Sequence, residues 1–460
     1  LGIDPEAQES ITLEIRQTGS GESLATVKWT GMRLGLIRPT VEVAPYALTG
    51  GHPGENGFFQ SGVDLASHYR NLNLLGSVNP DFRTVERSIL SLDFSYFERL
   101  APETRPFFTE GAAYFNPTGF ASQRIDDFDA AAKAYGKVDR STSVAALGGG
   151  TVGTDDFVVA SVDRRLNDNG NISVGVKSFH GADFDNNYAS GSANYTLGPL
   201  RFKTDVQLTA DQAFGSGSSI DTSILYDKDG YFAHLTGITT SANFLDRLGY
   251  YTEPDIKGLN ANLGKLLTFK SGSIESVGLS LATSQFTFQN NDPYRNYYSA
   301  TGSMTIRKGP DITLSHLAGT FLSNKDRVTE GVISQPIQRG RGRVGADITA
   351  GQLDSHSYRS ALLFLSYAPV PKLRLTGSFQ ELRHFANETQ TILNADYDLG
   401  RGESISGRMV QFDNNWSFYL RYRKVQRDGT ELQVLFGDPN SPTFDHVIMV
   451  KLVLPFTLRF

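Results

Sequence analysis

The chain offers little from which a catalytic centre could be built. Its histidines are His52, His68, His180, His234, His316, His356, His384 and His446. No two of them stand at the spacing of a zinc-ligand pair. There is no cysteine, which excludes disulfides, thiolate metal sites and cysteine nucleophiles. No G-x-S-x-G elbow, Walker loop or dinucleotide fingerprint falls at a strand-to-helix junction. GGG at 148–150 reads as a turn before Thr151. The run HGADFDNN at 180–187 gathers Asp183, Asp185 and Asn187, oxygens of the kind that hold calcium but without EF-hand spacing. A solvated loop is the plainer reading there, and also for NNDPYRNYY at 290–298. Arg339, Arg341 and Arg343 share one face of a period-2 strand, toward a lumen or its mouth. The expectation is a protein that is not an enzyme and carries no cofactor.

The elements behind these residues have a clear period. From 446 to 460, His446, Ile448, Val450, Leu452, Leu454, Phe456, Leu458 and Phe460 alternate with a face holding Lys451, Thr457 and Arg459. Such alternation is a strand, and a long one. Segments 171–178, 201–208, 372–380 and 416–423 repeat the pattern, each with one apolar and one polar or charged face. Composition agrees: Gly is 46 of 460 residues and Phe plus Tyr reach 49, with 4 Met, as sheets with many tight turns require. With Lys+Arg 43 against Asp+Glu 49, no nucleic-acid footprint is visible. No apolar run is long enough for a membrane helix. The first ten residues lack the basic and apolar regions of a signal peptide; if the protein is exported, its leader is expected to have been removed.

Strands of about 10–15 residues exceed those of a soluble sandwich and suit a barrel crossing a bilayer. Tyr226, Tyr231, Tyr358, Tyr367 and Trp416 near strand ends fit an aromatic girdle. Turns at 168–170, 228–230, 271–273, 308–310, 400–402 and 428–430 alternate with loops at 180–186, 211–217, 243–255, 290–296, 323–326, 352–356, 384–386, 413–415 and 439–444. The pattern predicts an all-β fold: a large transmembrane antiparallel barrel over 38–460 with short loops and about 26 strands (range roughly 22–28), both termini periplasmic, in the bacterial outer membrane. Residues 1–37 read as a separate periplasmic or luminal segment. Within it, 10–17 and 23–30 form a short hairpin or two further barrel strands.

Two runs carry a resemblance. NPDFRTVE at 79–86 and APETRPFFTEGAAYF at 101–115 resemble the NPDFxxVE and RPFFxEG signatures of an uncharacterised family of bacterial outer-membrane barrels. Its members usually carry an N-terminal carbohydrate-binding-module-9-like domain. About 37 residues precede the barrel here, so that domain is expected to be absent, and sugar binding is not carried over. The resemblance implies the barrel fold and no established chemistry. Its residues are Asn79, Pro80, Asp81, Phe82, Glu86, Arg105, Pro106, Phe107, Phe108, Glu110 and Gly111.

Residues 88–99 and 112–122 parse as strands, with 100–110 as the periplasmic connection between them. Two prolines and adjacent phenylalanines there suit a rigid packed turn, or a gate or partner dock. Arg105 has Glu103, Glu110 and Asp81 as candidate partners. No outer loop reads as long enough to fold in and narrow so wide a lumen. Something should fill it: residues 1–37, the 100–130 region or another polypeptide. The leading expectation is a scaffold or sheath for a partner protein in a transport or electron-transfer assembly. The alternative is a passive or substrate-selective channel, whose polar wall would include Arg201, Lys203, Asp205, Lys372, Arg374, Arg421 and Arg423. Outer-membrane lipid is the other expected partner.

Overall fold

The computed structural model describes residues 2–3, 10–16 and 23–30 as backbone, and 40–337 and 341–459 in full. Arg339 and most of 1–37 lie outside the described residues. Ser10–Arg16 pairs antiparallel with Ser23–Thr30, and Gly2–Ile3 adds to it. These three strands form their own sheet and contribute none to the barrel.

From Thr40–Gly51 to Ile448–Val453 the chain closes a barrel of 24 antiparallel strands. The last strand continues past Pro455 as Phe456–Arg459, still paired with Thr40–Gly51. Period-2 alternation makes the wall two-faced. In the closing strand Ile448, Val450, Leu452, Leu454, Phe456 and Leu458 are exposed outward while Met449 is buried inward. Val158, Val162, Ile172, Val174, Val206 and Leu208 continue the outward apolar band on neighbouring strands. Tyr231 and Trp416 stand exposed at strand ends as a girdle requires. Tyr358 does not: it turns inward, is buried, and donates to Asp93.

One rim carries the two ends of the barrel sheet, Thr40 and Arg459, and the tight turns. Asp229–Gly230 and Arg401–Gly402 join their strands through two residues of positive φ, the turn that matches strand twist. The other rim carries the loops, 241–255 and 437–447 the longest short of one exception. That exception is 79–129, between Leu72–Val78 and Ala130–Lys137.

Two expectations are corrected. Residues 88–99 and 112–122 are not part of the wall, which leaves 24 strands, within the expected 22–28. Nor is 100–110 a periplasmic turn: it belongs to a 51-residue excursion that leaves and rejoins the wall at the loop rim and folds inside the barrel. A long inward segment therefore exists. Its period-2 run was legible, but alternation reports one apolar and one wet face, not which neighbour supplies the hydrogen bonds.

The inner segment also decides where the core sits. Phe108, Phe115, Ile125 and Phe128 of the segment bury against Ala131, Tyr135, Ala145, Leu147, Phe157 and Val159 on the inner wall.

Candidate functional site

The excursion starts and ends at a shared neck. The N–H of Asn79 donates to Asp129 O at 2.7 Å, and Asp129 N–H to Gly150 O at 3.0 Å. Asn79 adopts φ 50°, a left-handed conformation that asparagine tolerates, and its side chain donates to Ser61 O at 2.5 Å. Pro80 O accepts from Gln60 Nε2 at 3.2 Å. Asp81 ends the neck: it is buried, pairs with Lys451 at 2.8 Å and accepts the Thr84 N–H at 3.0 Å.

From Asp81 to Glu98 the chain is a strap laid along the inner wall. Glu86 pairs with Arg408 at 2.7 Å and accepts from the Tyr419 hydroxyl. Wall side chains hold its main chain: Arg408 donates to Arg87 O at 2.8 Å, Gln390 to Leu90 O at 3.2 Å and Gln380 to Leu92 O at 2.6 Å. Tyr96 donates to Asp326 at 2.9 Å, and both burial and that carboxylate push its phenol up. Phe97 stacks on Tyr251, 5.4 Å between centroids. The strap alternates, with Arg87, Ile89, Ser91, Asp93 and Ser95 exposed and Leu90, Leu92, Phe94 and Tyr96 less so.

These contacts lay the strap along the inner wall across the eight strand steps from Lys451 to Asp326.

The rest, 101–128, is a compact lobe. Arg105 is its hub, with Phe82 and Phe108 against its guanidinium at 4.9 and 4.5 Å. It donates to Glu103 through Nε (2.9 Å) and Nη2 (2.6 Å), and to the carbonyls of Ile125 (2.6 Å), Asp126 (3.1 Å) and Ser122 (2.8 Å). Of its three expected partners Glu103 is the one used; Asp81 serves Lys451, and Glu110 accepts from Tyr135 at 2.7 Å. Burial tends to raise the Glu103 carboxyl, but hydrogen bonds from Arg105 and Ser122 outweigh it and hold Glu103 below its ordinary value. Pro106 opens the short helix Pro106–Thr109, where a missing N–H is harmless. Phe107 and Phe108 pack on Phe128 at 5.2 and 5.9 Å. Gly111 has φ 67°, and a Cβ there would meet the Tyr135 ring at 2.6 Å.

Small wall residues admit the lobe. Ala145, Ser161, Gly175 and Ser190 are register partners on four successive strands. Ser161 and Ser190 donate to Tyr114 O (2.6 Å) and Pro117 O (2.9 Å), and a Cβ on Gly175 would meet Thr118 at 2.6 Å. Loop 241–255 clamps the lobe from the rim. Ala121 N–H donates to Leu248 O at 2.8 Å, and buried Asp246 pairs with Lys177 at 2.6 Å. Burial raises the Asp246 carboxyl, and the attraction of Lys177 opposes this only in part.

All eleven motif residues thus meet in one inner structure. Asp183, Asp185 and Asn187 do not join it. Asp185 and Asn187 are exposed at the loop rim, bonded to each other at 2.7 Å, with Asp185 3.3 Å from His180. Among the described residues no group of three or more His, Asp or Glu is arranged to hold a metal. Sequence reasoning missed the wall side that receives the strap: Arg408, Tyr419, Lys451, Gln380, Gln390 and Asp326. One available signal was Pro117 inside the supposed strand 112–122, since proline is a poor central-strand residue.

An outward apolar band, aromatic ends and a closed sheet define a transmembrane β-barrel of the outer-membrane type, here with an inner segment built from its own chain. No protein-family model matches the chain, and no curated protein is significantly similar to it in sequence. Solved structures similar to it in architecture include the siderophore receptor PirA from Pseudomonas aeruginosa (TM-score 0.47, 6% identity, 91% of this chain and 80% of that one). The ferric-catecholate import receptor Fiu from E. coli K12 scores 0.46 at 7% identity over 94% and 83%. The alcaligin receptor FauA from Bordetella pertussis scores 0.43 at 10% over 95% and 79%.

Proposed function

We propose that the protein is an outer-membrane channel whose loop-side mouth is narrowed by its own segment 79–129, with both ends of the barrel sheet on the periplasmic side. The observation that carries this reading is the strap: a chain pinned along the wall by Arg408, Gln390 and Gln380 shapes a mouth without closing it. Accessible area agrees with a hollow body. The molecule exposes 26969 Å², against roughly 17,000 Å² for a compact chain of this mass. The inner wall toward the turn rim is polar and wetted, with Lys203, Arg374 and Arg423 exposed, as a water-filled passage needs.

A second reading, a sheath or scaffold for a partner polypeptide in a transport or electron-transfer assembly, draws on width. A 24-strand wall has a backbone diameter on the order of 45–50 Å, and a strap one chain thick leaves room for more than a small solute.

Single-channel recording of the purified barrel tests the proposal. Stable conducting steps are expected. Ile89→Cys, on the exposed face of the strap, should lose conductance when a bulky thiol reagent is added, and Leu92→Cys should not. Absence of current through the folded wild-type barrel would overturn the channel reading. A polypeptide that co-purifies in fixed ratio and silences the current would favour the sheath.

A further inference from the structure

The wall directly below the lobe carries a row of polar residues on neighbouring strands. Ser143, Asp163, Ser173, Ser192, Asp205 and Asp221 are successive register partners across six strands. They lie two residues along each strand from the small-residue row on which the lobe rests, so both rows point inward. The lobe overhangs this second row. Its residues Ala113, Tyr114, Asn116 and Pro117 roof an open recess of about 480 Å³ floored by the wall residues Ser143, Asp163, Ser173, Ser192, Lys203 and Asp205. That volume suits a small solute, with a polar floor and a partly apolar roof.

We propose that this recess is a binding site for a neutral polyhydroxylated solute; the idea rests on the channel reading and gives the channel a substrate class. Three features of the lining argue for it. First, acceptors dominate. Two carboxylates and three serine hydroxyls stand in a row about one strand spacing apart, ~4.8 Å, so a solute with several hydroxyl groups can meet more than one of them at once.

Second, the ionic groups are already engaged at short range. Lys203 pairs with Asp205 at 2.5 Å, Asp163 accepts from Asn171 at 2.8 Å, and Ser173 and Ser192 share a hydrogen bond of 2.6 Å. A carboxylate bonded on one oxygen still accepts on the other, and a hydroxyl donated to it makes a charge-assisted bond. Third, the balance of charge selects. Asp163, Asp205 and the adjoining Asp221 face Lys203, with Arg165 and Arg201 next along the same inward faces, so neither sign of charge prevails and a neutral solute is favoured over an anion. The Lys203 ammonium at the edge works against organic cations, and it can donate to a neutral solute's oxygens, as can the Asn116 amide.

Saturation-transfer NMR on the detergent-solubilised barrel reads the site without requiring current, so its failure is separable from failure of the channel. Sorbitol and sucrose are the probes, with a polyethylene glycol of matched size and a linear diamine as comparisons. Transfer to the two polyols is expected, and they should also block the ion current with a saturable dependence. The double variant Asp163→Asn/Ser192→Val removes one acceptor charge and one hydroxyl and should weaken both signals about tenfold, as the loss of one or two such bonds implies. Heat-modifiable migration confirms that the variant barrel is folded. The proposal is overturned if the glycol binds as well as sorbitol, if the diamine binds in its place, or if the folded variant binds like wild type.

Discussion

Replacing Arg105 with Met should melt the lobe and leave the wall standing. The guanidinium makes five hydrogen bonds, two to Glu103 and three to main-chain carbonyls, and its side chain is 9% exposed. Methionine matches the stem but donates nothing. Glu103, 14% exposed, would keep a charge without its partner, and breaking a buried pair from one side costs about 3–5 kcal/mol. The carbonyls of Ser122, Ile125 and Asp126 would lose a donor as well, so the upper part of that range is expected. Little of this falls on the barrel, whose ladders do not involve Arg105. Amide exchange in 101–128 should therefore accelerate by about 10²–10⁴, at one decade per 1.36 kcal/mol. Strands such as Gly170–Gly181 should stay protected on their outer flanks. Arg105→Lys should rescue little, since one ammonium has three donors for five bonds. Adding Glu103→Met to Arg105→Met should recover part of the loss. Unchanged exchange in 101–128 of folded Arg105→Met would refute the assignment of Arg105 as the lobe's hub.

Acid should act on the same joint. The Glu103 carboxyl lies below its ordinary value when folded, so its contribution is complete above the unfolded value near 4.3 and is lost as pH falls through the folded one; lobe exchange should rise there and disappear as an acid response in Glu103→Gln. Lys177→Met should strand buried Asp246 and free loop 241–255 to proteolysis, whereas Lys177→Met/Asp246→Leu should restore much of the protection. Val206→Arg, on the outward face, should impair membrane assembly by about 2–4 kcal/mol near the midplane, and Gln207→Arg, inward on the same strand, by little; equal loss in a folding assay would contradict the facing of Leu200–Asp211. On intact cells an impermeant thiol reagent should label Asp292→Cys and spare Asp229→Cys, and the reverse result would invert the proposed orientation.

Alternation alone carried the barrel from the sequence. A strand facing lipid on one side and water on the other must write period 2 into its residues, and a two-residue hairpin must place Gly or Asp where φ is positive, as at Asp229–Gly230. The loop and turn rims followed from parity for the same reason. Runs 79–86 and 101–115 stood out through their resemblance to a barrel family, and only the prolines and adjacent phenylalanines of the second had a physical reading of their own. The strap was misplaced because Leu90, Leu92, Phe94 and Tyr96 alternate as a wall strand does. Only the tertiary structure decided that their neighbours are side chains 230 to 300 positions away, such as Asp326, Gln380 and Gln390. Contacts at that separation depend on how 24 strands close and in which register. A local pattern fixes which face of a strand is wet, but not what stands across the lumen from it.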